Sequence, residues 1–329
     1  MTPILVSVEG ANILTRTLMV FGQGVIRCHP YVYREIQALR TEDVEAFDRA
    51  FWGHIGHGVR VFFRSILLSL SRGHLAGSPV GGPAARYYRK LAWASASFAL
   101  LTDLALCTLG GSLKRRGKIT GRFADIFSWM YLGVATLRRF EAEGRRAADL
   151  PFLHWSMQYA LAQIQRGFDG LLQNLDIPGL GGILAGPLAL WSRINPIGHM
   201  PRDELGRQIA RAIQRPGPQR DALTAGIYVS PDRHEALGRL ERAFTLACGA
   251  EAAAGKIREG IQAGKLPKER VQHLVAKAVE LGIITRAEAQ EMQEAEEARD
   301  DAVQVDSFTP EEYMAATPAR PHKAELVRA

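Results

Sequence analysis

Near the start of the chain stands the stretch Val8-Glu9-Gly10-Ala11-Asn12-Ile13-Leu14-Thr15-Arg16. It places the carboxylate of Glu9 at the end of an apolar run, followed by Gly10, the residue that most easily supplies an unusual backbone angle. Asn12 can accept hydrogen bonds from the first free amides of a helix that begins at Ile13. The pattern therefore predicts a turn that carries one carboxylate and leads directly into a helix.

Glu9 itself can be read in two ways. A carboxylate among apolar neighbours loses hydration, which would raise its pKa toward neutrality and suit a general base. The commoner case is a Glu in an ordinary turn before a helix, because strongly perturbed carboxylates are a minority. The local sequence leaves both readings open.

The rest of the chain has the periodicity of helices. Apolar residues at steps of three and four predict one helical face up to about Arg27, and Pro30 ends that helix. Further helices are predicted over residues 31–40, 44–70, 84–113, 119–143, 153–175 and 202–215. Shorter ones are expected to open at Ser230, at Leu266 and, through a capping box, at Thr285. Alternating apolar residues never persist long enough for a sheet, so we predict an all-α fold.

Several motifs carry a resemblance to a known family. Besides residues 8–16, they are Phe21-Gly22-Gln23-Gly24, Ile26-Arg27-Cys28-His29-Pro30-Tyr31, Gly110-Gly111-Ser112-Leu113-Lys114-Arg115-Arg116, Asp149-Leu150-Pro151 with His154-Trp155, and Leu171-Leu172-Gln173-Asn174. With these motifs the chain resembles the bacterial long-chain acyl-CoA dehydrogenases of fatty-acid β-oxidation. The likeness covers essentially all 329 residues, but only the C-terminal portion of the family's longer chain.

The resemblance implies a catalytic role for Glu9, which matches the base in a Glu-Gly turn before the last helix of the dehydrogenase bundle. Glu9 would take the α-proton of a fatty acyl-CoA while a hydride leaves the β-carbon for FAD, and electrons would pass to an electron-transfer flavoprotein. Its backbone amide would help to bind the thioester carbonyl and stabilise the developing enolate. Many relatives have flavin-contacting side chains where this chain has Ala11 and Ile13, so no cofactor-binding residue is assigned.

The resemblance also implies a division into domains. Residues 1–76 would end the dehydrogenase bundle, residues 77–302 would form the bacterial-type C-terminal helical domain, and residues 303–329 would be an extended tail. Only Met1 to Val8 precede Glu9, whereas the family's flavin-binding half comes before the base. We therefore expect a chain that needs a flavin-binding half, or a homo-oligomer partner, for activity.

Composition allows anionic partners. The net charge is +7 with a pI of about 9.5, which suits the phosphates of coenzyme A or an anionic membrane; nucleic acid is not expected, because no zinc-finger or RNA-binding signature is present. The cysteines Cys28, Cys107 and Cys248 are far apart, as expected of buried free thiols in a reducing cytoplasm. We expect a cytoplasmic protein, or one peripheral at the inner membrane.

Two stretches motivate a second, non-enzymatic interpretation. The basic run Lys114-Arg115-Arg116-Gly117-Lys118 is either a solvated helix end or a contact for an anionic ligand or membrane. The glycine-rich apolar residues 179–191 favour a buried core element over a loop dipping into lipid, because they are too short to span a bilayer. Residues 92–111 favour a buried bundle helix. The alternative function is a non-catalytic helical module that docks on a membrane surface or a partner protein.

Two histidines form a candidate metal site, but the sequence shows no third ligand near them. His54 and His57 lie three residues apart on one predicted helix, but no third ligand stands at a useful spacing, although distant residues could converge. We therefore predict no metal ion. His29 is expected to cap the end of the helix that stops before Pro30 rather than to act in catalysis. Arg16 is expected to contact either the active-site region or a neighbouring subunit. The residues Trp52, Trp93, Trp129 and Trp155 are expected in the core.

Overall fold

The computed structural model describes residues 12–174, 181–232, 235–304 and 309–311. Every regular element within these ranges is helical, which confirms the predicted all-α fold. A π-helical segment, Thr15–Gln23, is followed by the helices α1 (Gly24–Cys28), α2 (Val32–Arg40), α3 (Val44–Leu70), α4 (Ala85–Leu109), α5 (Gly117–Ala142), α6 (Leu150–Asn174), α7 (Gly181–Ile194), α8 (Asp203–Ile213), α9 (Pro218–Thr224), α10 (Ala236–Gln262), α11 (Val275–Glu280) and α12 (Arg286–Val303).

The chain forms two compact units, Met1–Arg211 and Ala212–Ala329. The core of the first unit joins Phe21, Val25 and Leu68 to residues of α4, α5 and α6, so it extends across the predicted border at residues 76/77. The predicted borders at residues 76/77 and 302/303 separate domains as the family defines them, which the two compact units do not test. These borders therefore stay predictions.

Helices α5 and α6 form the centre of the first unit. Their facing residues are at most 2% exposed: Phe123, Ile126, Leu137, Met157, Leu161, Ile164 and Leu171. Gly167 of α6 lies where the two helices approach most tightly, because a Cβ atom there would be 2.4 Å from Cγ1 of Ile126. The glycine lets the backbones approach closely, and the large apolar side chains around it exclude water from the interface.

The helix that opens the described chain packs on α5. The ring of Phe21 stacks on Phe123 with centroids 4.2 Å apart, and Phe98 of α4 meets both rings edge-on. The predicted helix up to about Arg27 is thus present, as a π-helical segment continued by α1, and it ends before Pro30. Its buried aromatic face ties the beginning of the described chain to the core.

Helix α4 contains most of the apolar stretch, residues 92–111, that was predicted as a buried bundle helix. Tyr87, Leu91, Trp93, Ala94 and Ala105 all belong to the core of the first unit. Together with its flanking turns, α4 forms the stretch Gly82–Arg115, which is the one helix within the described residues that is long and apolar enough to cross a membrane. Length and composition alone support that comparison, since core helices meet the same criteria.

The outer side of α3 corrects the prediction for Trp52. This side chain is 68% exposed, and Phe63 and Leu70 are each 65% exposed. Trp93 is buried as predicted, and Trp129 packs against the core. The prediction failed for Trp52 because α3 packs through only one side, leaving an outer apolar surface that consists of Phe51, Trp52, Ile55, Val59, Phe62, Phe63, Ile66, Leu67 and Leu70.

Helix α7 and two cysteines correct further predictions of burial. In the part of α7 whose side chains are described, Leu190 and Ile194 are each 60% exposed, so this part is not a core element. Polar contacts hold one side of the helix to the unit: Ser192 to Asp169, and Trp191 to Ser69. The predicted free thiols are present, but Cys28 and Cys107 are exposed rather than buried.

The second unit is a small bundle in which α10 packs on α12. Its described core includes Ile257, Leu266, Leu274, Ala278 and Ile284. The predicted capping box is confirmed, because Thr285 accepts from the amide of Glu288 and the Glu288 carboxylate accepts from the amide of Thr285. The predicted starts at Ser230 and Leu266 are wrong: α10 begins at Ala236, and after Leu266 the chain first forms the 3-10 turn Val271–Leu274.

Candidate functional site

Glu9, the predicted catalytic base, lies outside the described residues, and its role stays a prediction. The described chain begins at Asn12, which is already helical. What the structure describes is therefore the helix that follows the Glu9 turn and the groups that hold this helix in place.

Arg16 holds that helix to α5 through a two-point ion pair. Its Nε and Nη2 donate to the two carboxylate oxygens of Asp125 at 2.6 and 2.5 Å, and Gly121 leaves space for the guanidinium. The pair is partly exposed, so it contributes orientation more than stability. Within the described chain the partner of Arg16 is Asp125. The expected contact of Arg16 with the active-site region or with a neighbouring subunit stays a prediction.

Three cations line an open cavity of about 690 Å³ at the end of α1. They are Arg27, Arg40 and Lys114, and within the described residues none of them forms an ion pair. Gln23, Ile26, Tyr33 and Ile36 complete the lining. Lys114 comes from the predicted basic run, whereas the two arginines come from elsewhere in the chain. Unpaired cations around a cavity attract phosphorylated or carboxylated ligands, and this basic cavity can bind one.

A cluster of histidines and carboxylates lies between the α1–α2 turn, α3 and α4. His29 Nδ1 accepts from the amides of Tyr31 and Val32, at 3.3 and 3.1 Å. It therefore caps the start of α2, whereas the sequence predicts a cap at the end of the preceding helix. Because Nδ1 is an acceptor, the ring proton sits on Nε2, which donates to Asp103 Oδ1 at 3.0 Å. His29 and Asp103 are only 6% and 13% exposed.

The second half of the cluster is built on α3. His54 Nδ1 donates to Glu35 Oε1 at 2.8 Å, and the Tyr31 ring stacks over the His54 ring. One ligand atom of His29, one of His54 and one of Asp103 lie within 4.8 Å of one another. Asp103 Oδ2 is buried and has no hydrogen-bond partner among the residues that the structure describes. A carboxylate oxygen in this state is costly unless a donor or a cation reaches it.

His57 lies one turn beyond His54, with its ring centroid 5.5 Å from that of His29. Its pKa is lowered, first by burial and then by the nearby His29, Arg60 and His54, while the carboxylate of Asp103 opposes the shift. The structure thus supplies the partners that sequence spacing could not, because Asp103 and Glu35 lie on other helices. No local sequence pattern predicts that Asp103 and Glu35 lie beside these histidines.

The family assignment rests on the comparison with known proteins. A family model described as "Acyl-CoA dehydrogenase, C-terminal, bacterial type" matches residues 26–308. The chain belongs to this family. No solved structure matches the chain. The recognised resemblance is thereby confirmed as a C-terminal portion of a bacterial acyl-CoA dehydrogenase, and a general dehydrogenase role follows from it.

Within this acyl-CoA dehydrogenase domain, the motif residue His154 has a structural place. Its Nδ1 lies 3.0 Å from the Tyr87 hydroxyl and accepts from Arg86 Nη2 at 3.1 Å, which links the start of α4 to α6. Burial lowers the pKa of His154, and the charge of Arg86 lowers it further. A neutral ring suits this acceptor role. The histidine–carboxylate cluster also lies inside the matched range, whereas Glu9 and Arg16 precede it.

Proposed function

We propose that the chain is the C-terminal portion of an FAD-dependent acyl-CoA dehydrogenase that oxidises fatty acyl-CoA to trans-2-enoyl-CoA in fatty-acid β-oxidation. Glu9 is the base that removes the α-proton. The observation that carries the proposal is the family match over residues 26–308, which begins downstream of Glu9 and Gly10. The electrons pass to an electron-transfer flavoprotein, and the reaction takes place in the cytoplasm or at the inner membrane surface.

In this proposal the helix after Glu9 positions the base. The Arg16–Asp125 ion pair and the Phe21–Phe123 stack attach that helix to α5. A base one ångström out of place loses much of its effect, so rigid attachment supports proton transfer. The backbone amide of Glu9 donates to the thioester carbonyl and stabilises the negative charge that develops as the α-proton leaves.

FAD supplies the acceptor for the hydride that leaves the β-carbon. The basic cavity fits a flavin ring poorly, because three of the seven residues that line it are cations. We therefore assign the flavin to a separate flavin-binding half. The basic cavity instead suits the phosphates of coenzyme A.

The test combines this chain with the flavin-binding half of a bacterial acyl-CoA dehydrogenase and follows flavin absorbance on addition of a long-chain acyl-CoA. The flavin bands should bleach with the native chain. Glu9→Gln should lower turnover by about 10²–10⁴-fold, the usual contribution of a general base, while FAD stays bound. Glu45→Gln, an exposed control on α3, should turn over normally. Near-normal turnover of Glu9→Gln would exclude Glu9 as the base.

A second candidate function is docking on a membrane, supported by the outer apolar surface of α3. Scattered exposed apolar residues are normal, but a continuous row along one helix marks an interaction surface. Liposome flotation with anionic lipid at low salt tests it. Trp52→Ser combined with Phe63→Ser should then reduce flotation, and a native protein that stays at the bottom would remove the support for this function.

A further inference from the structure

Helix α7 extends the outer apolar surface of α3 at its C-terminal end. Trp191 Nε1 donates to Ser69 Oγ at 2.8 Å, and Asn195 Nδ2 donates to the Ser69 carbonyl oxygen at 2.8 Å. The end of α7 therefore lies beside the last turn of α3. Large apolar side chains of the two helices and of the turn after α3 are at least 39% exposed: Leu67, Leu70, Leu75, Leu188, Leu190, Trp191 and Ile194. We refer to these seven side chains as the α3–α7 surface.

The segments that build this surface carry positive charge without any negative charge. The sequence has no Asp or Glu from Arg49 to Thr102, nor from Ile177 to Arg202. The same two segments contain seven and two arginines or lysines, respectively. Exposed apolar side chains bordered by cations alone are the pattern of a surface that binds anionic lipid, because the cations meet the headgroups while the apolar groups meet the acyl chains.

Three of these cations come together where α3 ends and α4 begins. Arg86 and Lys90 lie four residues apart on α4, so they project from the same side of the helix. The turn Arg72-Gly73 packs on this part of α4, since a Cβ atom at Gly73 would lie 2.9 Å from the carbonyl oxygen of Arg89. Three like charges are therefore held close together next to the end of the α3–α7 surface.

The charge of this group is not compensated by the protein. Within the described residues, Arg72, Arg86 and Lys90 form no ion pair, and neither does the exposed Arg193 of α7. Lys90 Nζ donates to the carbonyl oxygen of Ile197, just after α7, at 2.5 Å. Burial lowers the pKa of Lys90, and the charges of Arg72 and Arg86 lower it further. An anion beside these groups would relieve their mutual repulsion.

We propose that the α3–α7 surface docks on an anionic phospholipid bilayer. Its apolar side chains enter the boundary between headgroups and acyl chains, and the unpaired cations beside it bind headgroup phosphates. The inference rests on the second candidate function, to which it adds the class of lipid and the contribution of α7. A protein partner would have to present an apolar patch with an acidic border, whereas an anionic bilayer supplies both at one boundary. The proposed dehydrogenation does not depend on this docking.

The experiment is flotation of the tag-free full chain with vesicles of phosphatidylcholine alone or mixed with phosphatidylglycerol. The native chain should bind only the mixed vesicles, and less strongly as salt rises. Leu190→Ser combined with Ile194→Ser should weaken binding by about 10-fold or more, because apolar area stays in water. Arg72→Glu combined with Arg193→Glu should also weaken it by about 10-fold or more. The control reverses two exposed cations of the second unit, Arg242→Glu with Lys277→Glu, and should bind as the native chain does.

Several results would overturn the inference. Absence of native binding to the mixed vesicles, or equal binding to both kinds, would exclude an anionic bilayer as the occupant. Binding that is lost in Trp52→Ser with Phe63→Ser but kept in both new double variants would confine docking to α3 and leave the second candidate function standing. Equal losses in the control would show unspecific attraction to a basic protein.

Two further measurements separate this docking from the other proposals. Both new double variants should still support flavin bleaching when combined with the flavin-binding half. A loss of bleaching without a loss of vesicle binding would assign the α3–α7 surface to that half, and the inference would fail. Circular dichroism checks folding, and if a double variant does not fold, the single substitutions Leu190→Ser and Arg193→Glu, both at exposed side chains, decide the question.

Discussion

At the scale of single residues, Gly167 shows how tightly α5 and α6 pack. An added Cβ would lie 2.4 Å from Cγ1 and 3.0 Å from Cδ1 of Ile126, a side chain with no exposed surface. Because Ile126 is fully buried, its side chain cannot swing into solvent to make room. The close approach therefore depends on the glycine.

We expect Gly167→Ala to lower the free energy of unfolding of the first unit by about 1–3 kcal/mol, the usual cost of overpacking. Gly56→Ala is the matched control, because its Cβ on α3 would meet nothing within 4 Å, and it should stabilise by about 0.5–1 kcal/mol. Tryptophan fluorescence during urea unfolding measures both, since all five tryptophans lie within Met1–Arg211. An unchanged midpoint for Gly167→Ala would refute the packing.

At the scale of elements, the start of α12 combines two stabilising interactions, a capping box and a hydrogen bond from a lysine of another helix. Thr285 caps the helix and Glu288 completes the capping box, while Lys256 of α10 donates to the same carboxylate at 2.5 Å. These contacts lower the pKa of Glu288 from an ordinary 4.5 to about 2. The hydrogen bond from Lys256 is the largest cause, and the hydrogen bond from the Thr285 amide is the next.

Thr285→Ala should cost about 0.5–2 kcal/mol, the usual value for an N-cap. The Glu288 contribution has a definite pH dependence. Because its pKa is lowered in the folded state, the stabilisation is complete above about pH 4.5 and is lost as the pH falls toward about 2. Hydrogen exchange of the α12 amides should be faster in Glu288→Gln than in the native chain at pH 6, with the difference shrinking on acidification. Glu291→Gln, exposed on the same helix, is the control. A difference that persists at pH 2 would contradict the assignment.

At the scale of the whole molecule, the chain has a net positive charge, and three of its cations are concentrated at one cavity. Arg27, Arg40 and Lys114 meet at the basic cavity although they come from three separate parts of the chain. The basic run supplies Lys114 to the cavity, while Lys118 does not line it. Variants of a residue that lines the cavity and of Lys118 can therefore distinguish binding in the cavity from general attraction to a basic protein.

We expect coenzyme A to bind the full chain with an affinity that falls as salt rises, because screening weakens attraction between exposed charges. Arg40→Glu should lower the affinity by about 10-fold or more, since reversing a charge replaces attraction by repulsion, whereas Lys118→Glu should change it little. Calorimetry at two salt concentrations measures this. Equal losses for the two variants would show that the cavity is not the site.

Much of the fold follows from local sequence. Helix α3 begins and ends at the predicted residues, and α2 differs from its prediction by one residue, because helix periodicity and end signals act between residues within a turn or two. The capping box is local for the same reason. The family motifs are short stretches of neighbouring residues as well, so the sequence alone indicates the acyl-CoA dehydrogenase family.

Contacts between distant residues could not be derived in this way. Asp103 is 49 residues from His54 and 74 from His29, and Arg16 meets Asp125 across 109 residues. Each side chain taken alone fits an ordinary helix surface. Only the packing of α3 against α4, and of the first helix against α5, brings them together. Trp52, on the outer apolar surface of α3, was predicted in the core for a related reason, since an aromatic residue in an apolar helix does not show what covers it.

The sequence by itself therefore determined the all-α class, most of the long helices, the capping box at Thr285 and the family, because these depend on interactions between near neighbours. Tertiary structure alone decided which helix faces are buried and which charged groups share a cavity. It also decided where His29, His54, Asp103 and Glu35 converge. The physical reason is that burial and ligand geometry depend on the packing of whole helices, and that packing is a property of the folded chain rather than of any stretch of it.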